Sequence, residues 1–415
     1  MMILGPFLIR KIGLEEYAVL SLAIYFYNLA LGYSDFAAYT HLLVSFSRSA
    51  PERRIDTSTA TLLRTAILGL FFCVLLVFGI YLPRHDALYP LLAIFMLGIP
   101  ISPINFEWYF IAKKEYASLF GIRMLALGVL GGLLIVWFTT NLRPSPLFFP
   151  IAGLVSAAAS AVLAVRLLGL HRTSEWLTAF KAVSVRRLVS LFLKLSPMAS
   201  TLLTAPYFLA FALPWYSMAC ADKKLVGAFS ISYRLVMGMS SLMAPLVFYL
   251  IPRGNDTTHR PSLGKTVLMS LLITVGLWFL GLPILWGYFH FSEANPALLP
   301  HSFSAYSVLM VGFFFLSLRT PYVGHWLVSR RYGLYFFGHF FSCLPVLLLS
   351  TLASGRIPPY WVVWLACLPD ALASTFFISF DVLRSGSDKR GKWSRFLPWF
   401  SNRPYFGTKY SGSDQ

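Results

Sequence analysis

Eleven long runs of apolar residues occupy most of this chain of 415 residues. They lie at residues 17–34, 61–82, 88–111, 117–139, 146–170, 189–216, 225–251, 266–289, 303–328, 332–352 and 358–380. Each run is close to the ~20 residues that a helix needs to cross a bilayer, and each is continuous, whereas the strands of a membrane barrel alternate between apolar and polar residues. The sequence therefore predicts an all-α polytopic membrane protein with eleven full membrane-spanning helices.

The composition agrees with a chain that lies almost wholly in the membrane. Hydrophobic residues make up 57% of it and charged residues 12%, which leaves no room for a soluble catalytic domain beside the spans. The four cysteines and eight histidines show no metal-ligand spacing, and the sequence has no phosphate-binding loop and no nucleophile elbow. We therefore expect no enzyme activity, no catalytic residues, no metal and no cofactor.

The basic residues are distributed unequally between the two sides of the spans. The short apolar segment at 1–9 is counted as the first helix. The connections after even-numbered helices, the helix ends beside them and the C-terminal tail then carry 25 of the 34 Lys and Arg residues, and the connections after odd-numbered helices carry 7. The positive-inside rule then places the even connections and the C-terminus in the cytoplasm. The positive charge thus indicates topology, and contact with anionic membrane lipids explains it better than a nucleic-acid partner.

Two stretches run parallel when they are offset by 209 residues: YAVLSLAIY at 17–25 and VGAFSISY at 226–233. Because this offset is close to half of the chain, it predicts two homologous six-helix bundles. We expect an N-terminal bundle at 1–171, a cytoplasmic linker at 172–188, a C-terminal bundle at 189–383 and a basic cytoplasmic tail at 384–415. The same offset predicts that about twenty residues of the first helix are absent from this sequence.

Two arginines lie deep inside the predicted spans. Arg234 lies about ten residues into helix 8, and Arg319 lies in the middle to inner part of helix 10. An arginine that faces lipid at such a depth costs ~3 kcal/mol or more, so both are expected to face a bundle interior or a wet cavity. The alternative for both is a structural ion pair, with Asp370 of helix 12 as the candidate partner.

Two further arginines, Arg123 and Arg64, lie nearer the cytoplasmic ends of their helices. With the two deeper arginines they are candidates to line one cationic cavity, and guanidinium groups bind phosphate through paired, charge-assisted hydrogen bonds. Such a cavity would suit a pyrophosphate head group. The alternative for these two residues is snorkelling of the side chain to the inner interface.

Three carboxylates within or at the ends of the spans are candidates for ion coupling or for ion pairing: Asp370, Asp35 and Glu107. A buried carboxylate relays protons in a coupled carrier or neutralises a nearby arginine. Asp370 is the deepest of the three. Glu107 lies close enough to the cytoplasmic side for ordinary solvation.

Four segments of the chain resemble known sequence signatures. PFLIRKIGLEEYAVLSL at 6–22 and YSDFAAY at 33–39 resemble the P-x-L-I-R-x-L-G-x-E-x-Y-G segment and the D-x-G segment that follows it. EWYFIAKKEY at 107–116 resembles the W-F-F-Q-G-x-E-x-M signature, and KKLVGAFSISYRL at 223–235 resembles the segment V-G-x-F-S-x-A-x-x-L. These signatures belong to bacterial polysaccharide-export flippases, the repeat-unit or O-antigen flippases of the Wzx type in the multidrug/oligosaccharidyl-lipid/polysaccharide (MOP) exporter superfamily.

The resemblance implies two six-helix bundles around a central cavity, alternating access, and an undecaprenyl-pyrophosphate-linked oligosaccharide as the cargo. It implies a role in O-antigen or surface polysaccharide biosynthesis at the bacterial inner membrane, with polysaccharide polymerase and chain-length machinery as partners. Cavity arginines would meet the pyrophosphate, and by position Arg234 and Arg319 would inherit that role. Two alternatives stay open: a drug/cation antiporter of the same superfamily, and a membrane glycosyltransferase or polymerase.

Overall fold

The structure is a computed structural model. It describes residues 4–35, 58–60, 62–63, 65–67, 69–70, 73, 88–98, 101, 110, 115–140, 145–168, 181, 183–204, 212–220, 222–241, 263–328, 338, 341–342 and 358–387, and for some of these it describes the backbone alone. Within these ranges the chain is helical and contains no strand. The prediction of an all-α fold is therefore confirmed.

The first half of the chain contains five described helices. They are α1 (Gly5–Ile12), α2 (Leu14–Asp35), α3 (Leu88–Gly98), α4 (Tyr116–Thr139) and α5 (Phe148–Leu168). Gly13 separates α1 from α2 with a φ of 86°, a conformation that favours glycine. The predicted spans at 17–34, 117–139 and 146–170 correspond to α2, α4 and α5 within a few residues.

The second half contains six described helices and one 3-10 turn. They are α6 (Val185–Thr204), α7 (Ala212–Ala219), α8 (Lys223–Ser241), α9 (Leu263–Ser292), the turn Pro296–Leu298, α10 (Leu299–Val328) and α11 (Pro359–Ser387). The predicted spans at 266–289, 303–328 and 358–380 correspond to α9, α10 and α11. The predicted spans at 61–82 and 332–352 lie mostly outside the described residues.

Five of the described helical segments are long and apolar enough to cross a membrane. They are Tyr116–Thr139, Phe148–Leu167, Gly264–Ser292, Pro296–Arg319 and Trp361–Phe380. Large apolar side chains such as Leu127 and Ile135, each 63% exposed, cover the outside of these helices. A contiguous apolar surface of this kind suits lipid rather than water. The chain is therefore a multi-pass membrane protein.

The helices that carry the 209-residue repeat pack against each other. α2 contacts α8, and a hydrophobic cluster that includes Leu20 of α2 and Phe229 of α8 spans both halves. The helices approach most closely at Gly227, where an added Cβ atom would lie 2.6 Å from the carbonyl oxygen of Leu14. Only glycine fits such a crossing without displacing the neighbouring backbone. The exact division of the chain into domains and linker stays a prediction.

Candidate functional site

Arg234 lies where the two halves of the chain meet. It is about eleven residues, or ~16 Å, from the start of α8, and helical side chains tilt toward the N-terminus of their helix. The guanidinium group therefore points back toward the beginning of α2. Its Cζ atom lies 5.1 Å from the centre of the Tyr17 ring, so Arg234 faces the packed interior between the halves.

The guanidinium group of Arg234 has unused hydrogen-bonding capacity. Its Nη2 atom is buried, and it has no hydrogen-bond partner among the residues that the structure describes. The Tyr17 ring attracts the positive charge, but a ring face does not replace oxygen acceptors for the two N–H donors of Nη2. An anion with several oxygens would satisfy these donors.

A tyrosine pair lies beside this arginine. The hydroxyl groups of Tyr17 on α2 and Tyr288 on α9 are 2.9 Å apart and share a hydrogen bond. Tyr17 is completely buried, and Gly5 of α1 lies directly against the Tyr288 hydroxyl. Neither tyrosine was predicted from the sequence, because tyrosine near the end of a membrane helix is common at the bilayer interface. The one available signal was that Tyr17 opens the repeated segment.

Two exposed ion pairs connect the halves at the same end of the molecule. Arg10 Nη2 lies 2.9 Å from Glu293 Oε1, and Lys224 Nζ lies 3.8 Å from Glu15 Oε1. Exposed pairs of this kind contribute roughly 0–1 kcal/mol each. We call this end, where α2 and α8 begin and α9 ends, the contact end.

Arg319 occupies a different environment from Arg234. Its Nη2 atom lies 3.0 Å from Oδ1 of Asp370, and the two side chains are 2% and 1% exposed. Next to this pair, Ser374 of α11 donates a hydrogen bond to the Phe315 carbonyl of α10 and holds the two helices together. This is the ion-pair arrangement that the sequence left open for Arg319, and a substrate-binding role for that residue stays a prediction.

The remaining predicted site residues are not brought into this region by the described part of the structure. Arg123 lies exposed near the start of α4, a helix that packs against α5. Arg64 and Glu107 lie outside the described residues, and Asp35 ends α2 with a side chain that is not described. Their roles stay predictions.

Metal-ligating side chains are not clustered in the described part of the chain. Within the described ranges, no group of three or more His, Cys, Asp or Glu side chains is placed to hold a metal ion. Buried Cys367 instead donates a hydrogen bond to the Val308 carbonyl, with an Sγ–O distance of 3.4 Å. The contact end thus presents an arginine with an unsatisfied buried nitrogen against the ring of Tyr17; a role for it in binding stays a prediction.

Comparison with known proteins identifies the fold. No protein-family model matches the sequence, and no curated protein sequence matches it either. Among solved structures, an inward-facing multidrug resistance MATE family transporter of the MOP superfamily matches with a TM-score of 0.67 and 12% identity, over 93% of this chain and 94% of that chain. The lipid II flippase MurJ in an inward closed conformation matches with a TM-score of 0.64 and 14% identity, over 92% of this chain and 85% of that chain. The chain therefore has the helical-bundle fold that the MATE transporter and MurJ share.

Proposed function

We propose that this protein is a flippase that moves an undecaprenyl-pyrophosphate-linked oligosaccharide across the bacterial inner membrane. The cargo is a repeat unit of O-antigen or of a related surface polysaccharide. Three observations support the proposal: the fold shared with a lipid II flippase, the sequence segments that resemble repeat-unit flippases, and the unsatisfied Nη2 atom of Arg234. The third supports it most directly.

The observation that carries the proposal is the buried Nη2 atom of Arg234, which has no hydrogen-bond partner among the described residues. Leaving a buried charged donor unsatisfied costs more than the roughly 1–3 kcal/mol of a neutral one. An anion that binds during the transport cycle would offset this cost by accepting hydrogen bonds from Nη2. Pyrophosphate fits the role, because guanidinium groups bind phosphate oxygens through two parallel charge-assisted hydrogen bonds.

The position of Arg234 suits the passage of a charged head group. The polyprenyl chain of the cargo stays in lipid, but its pyrophosphate must cross a region where an unpaired charge is strongly disfavoured. Arg234 lies between the two halves, part of the way along α8, so it supplies a cation on the route that opens when the halves separate. The arginine thereby lowers the free-energy cost of moving the pyrophosphate, the most polar part of the cargo, through this region.

The proposed orientation follows from the basic residues. We place the C-terminus in the cytoplasm and the contact end at the periplasmic face, as the 25-to-7 split of Lys and Arg indicates. The cargo then enters from the cytoplasm and leaves at the contact end. Polysaccharide polymerase and chain-length proteins are the proposed acceptors there.

The second candidate function is a drug/cation antiporter, because one protein of the same fold is a multidrug resistance transporter. A cationic drug requires a carboxylate that is free to receive it. The buried carboxylate of Asp370 already binds Arg319, so a drug would have to compete with a tethered guanidinium group. This pairing disfavours Asp370 as the group that would bind a cationic drug.

A flipping assay tests the proposal. Purified full-length protein in liposomes is given a fluorescent undecaprenyl-pyrophosphate oligosaccharide, and the fraction reached by a membrane-impermeant quencher is followed over time. We expect flipping by the native protein, a loss of about tenfold or more in Arg234→Gln because charge-assisted hydrogen bonds are removed, and a smaller loss in Arg234→Lys. Arg187→Gln, which changes an exposed arginine at the start of α6, is the matched control.

Each outcome of the assay is informative. Native flipping rates in Arg234→Gln would show that Arg234 is not the cation used by the cargo. Export of cationic dyes without flipping of the lipid would replace the proposal with the antiporter. Formation of a new glycosidic bond from the lipid-linked units would establish an enzyme instead.

A further inference from the structure

We propose that Tyr17 is a positioning residue. It holds the Arg234 side chain in place while no cargo is bound, and binding of the cargo weakens the contact between the two halves of the chain. We call the state in which the two halves touch at the contact end, as they do in the structure, the closed contact. In it, the Tyr17 ring lies against the guanidinium group of Arg234. When a pyrophosphate takes Arg234, it displaces this ring contact and weakens the closure. The inference rests on the proposed function and adds to it a way in which binding of the cargo opens the contact end.

Tyr17 is the point where the first half is tied to two residues of the second half. Its ring lies 5.1 Å from Arg234 Cζ on α8, and its hydroxyl group lies 2.9 Å from the Tyr288 hydroxyl on α9. Its side chain is fully buried. Any separation of α2 from α8 and α9 must therefore break both contacts of this one residue.

The Arg234 side chain is half-buried, and the burial of its Nη2 atom makes ring contact and anion binding at this nitrogen compete. The Nη2 atom is buried while the halves are in contact. A pyrophosphate that is to reach this nitrogen must separate the guanidinium group from the surface that covers it, and the Tyr17 ring is part of that surface. Binding of the cargo and opening of the contact are then coupled, because both require the same movement.

The expected size of the coupling follows from the cation–π contact. Such a contact shifts an equilibrium by a factor of about 2 to 5 at partly exposed sites, and by more where water is excluded. The exposed ion pairs Arg10–Glu293 and Glu15–Lys224 contribute little closure by themselves. Losing the Tyr17 contact is therefore expected to shift the ratio of closed to open states by a similar factor.

The coupling predicts opposite effects on affinity for two neighbouring residues. Removing the ring in Tyr17→Leu frees Arg234, so undecaprenyl pyrophosphate should bind about 2- to 5-fold more tightly. Removing the guanidinium in Arg234→Gln should weaken binding by about tenfold or more. Tyr17→Phe keeps the ring contact and loses only the hydrogen bond to Tyr288, so it isolates the ring's share, and its affinity should lie closer to the native value than that of Tyr17→Leu.

The experiment measures affinity and opening in the same full-length protein in nanodiscs. Spin labels are attached at Glu16→Cys and Lys223→Cys, on opposite sides of the contact end, after the four native cysteines are changed to serine. The distance distribution is recorded without ligand, with undecaprenyl pyrophosphate and with undecaprenol. We expect the pyrophosphate alone to lengthen the distance, and Tyr17→Leu to show part of the longer population before ligand is added.

The results separate the inference from the proposed function. If the native protein does not bind undecaprenyl pyrophosphate, or Arg234→Gln binds it equally well, the proposed function is wrong. If the native protein binds it but Tyr17→Leu matches Tyr17→Phe in affinity and in the ligand-free distance, the inference is wrong and the function stands. A shift produced by undecaprenol would also overturn the inference. Tyr17→Met replaces Tyr17→Leu if the latter does not fold.

Discussion

Arg319 and Asp370 form a buried ion pair that joins α10 to α11, with 3.0 Å between Nη2 and Oδ1. Each charge is stable in this apolar region only because the other lies beside it, since removing one partner of a buried pair leaves an uncompensated charge. The pair therefore adds little net stability to the fold, but removing one of its partners destabilises the protein strongly.

We expect Asp370→Asn and Arg319→Met, as single variants, each to lower the free energy of unfolding by about 3–5 kcal/mol. The double variant Arg319→Met/Asp370→Leu should recover most of this loss, because an apolar pair of similar volume carries no buried charge. Thermal unfolding in detergent, followed by tryptophan fluorescence, measures all three. Single variants that are as stable as the double variant would show that the charges are solvated.

The positions of the membrane helices could be predicted from the sequence because lipid imposes a simple requirement. A crossing helix needs about twenty apolar residues in a row, and the runs at 266–289 and 303–328 lie within α9 and α10 of the structure. The faces of these helices could not be predicted. In α4, Leu134 is buried and Ile135 is exposed, although both are equally apolar, so the residue pattern does not distinguish a lipid-facing side from a packed one.

The candidate site was predictable only in part for the same reason. The sequence gives the depth of Arg234 and Arg319 but not the rotation of their helices, and rotation decides what each arginine contacts. The structure separates them: Arg319 binds Asp370, and Arg234 lies against Tyr17. These contacts join helices far apart in the chain, and no local pattern records them.

Gly227→Ala is expected to weaken the contact end. The added Cβ atom would lie 2.6 Å from the Leu14 carbonyl oxygen, and backbone cannot move aside as a flexible side chain can. Overpacking costs about 1–3 kcal/mol, which corresponds to a decrease of about five-fold or more in the closed population. Disulfide cross-linking between Glu15→Cys and Lys224→Cys measures that population.

Gly264→Ala is the control for this experiment, because nothing lies within 4 Å of a Cβ atom placed there. Cross-linking in this control should equal that of the parent protein. Equal cross-linking in Gly227→Ala as well would show that α2 and α8 do not need the close crossing to stay together.

Gly281→Ala tests the packing of the second half away from the contact end. The ring and hydroxyl of Tyr306 occupy the space that the new methyl group would need, and this hydroxyl also donates a 2.7 Å hydrogen bond to the Leu277 carbonyl. We expect a loss of about 1–3 kcal/mol in unfolding free energy. Gly276→Ala on the same helix meets open space and should be neutral or slightly stabilising. Equal melting temperatures for the two variants would contradict the packing.

The orientation of α9 gives the most direct test of the topology. Lys265 lies exposed at its start and Glu293 lies exposed just beyond its end, and the helix of 30 residues is ~45 Å long, enough to place them on opposite sides of a bilayer. In a cysteine-free background, we expect an impermeant maleimide to label Glu293→Cys in intact inner-membrane spheroplasts, and Lys265→Cys only after permeabilisation. The reverse pattern would place the contact end in the cytoplasm, so that the cargo would enter where we propose that it leaves.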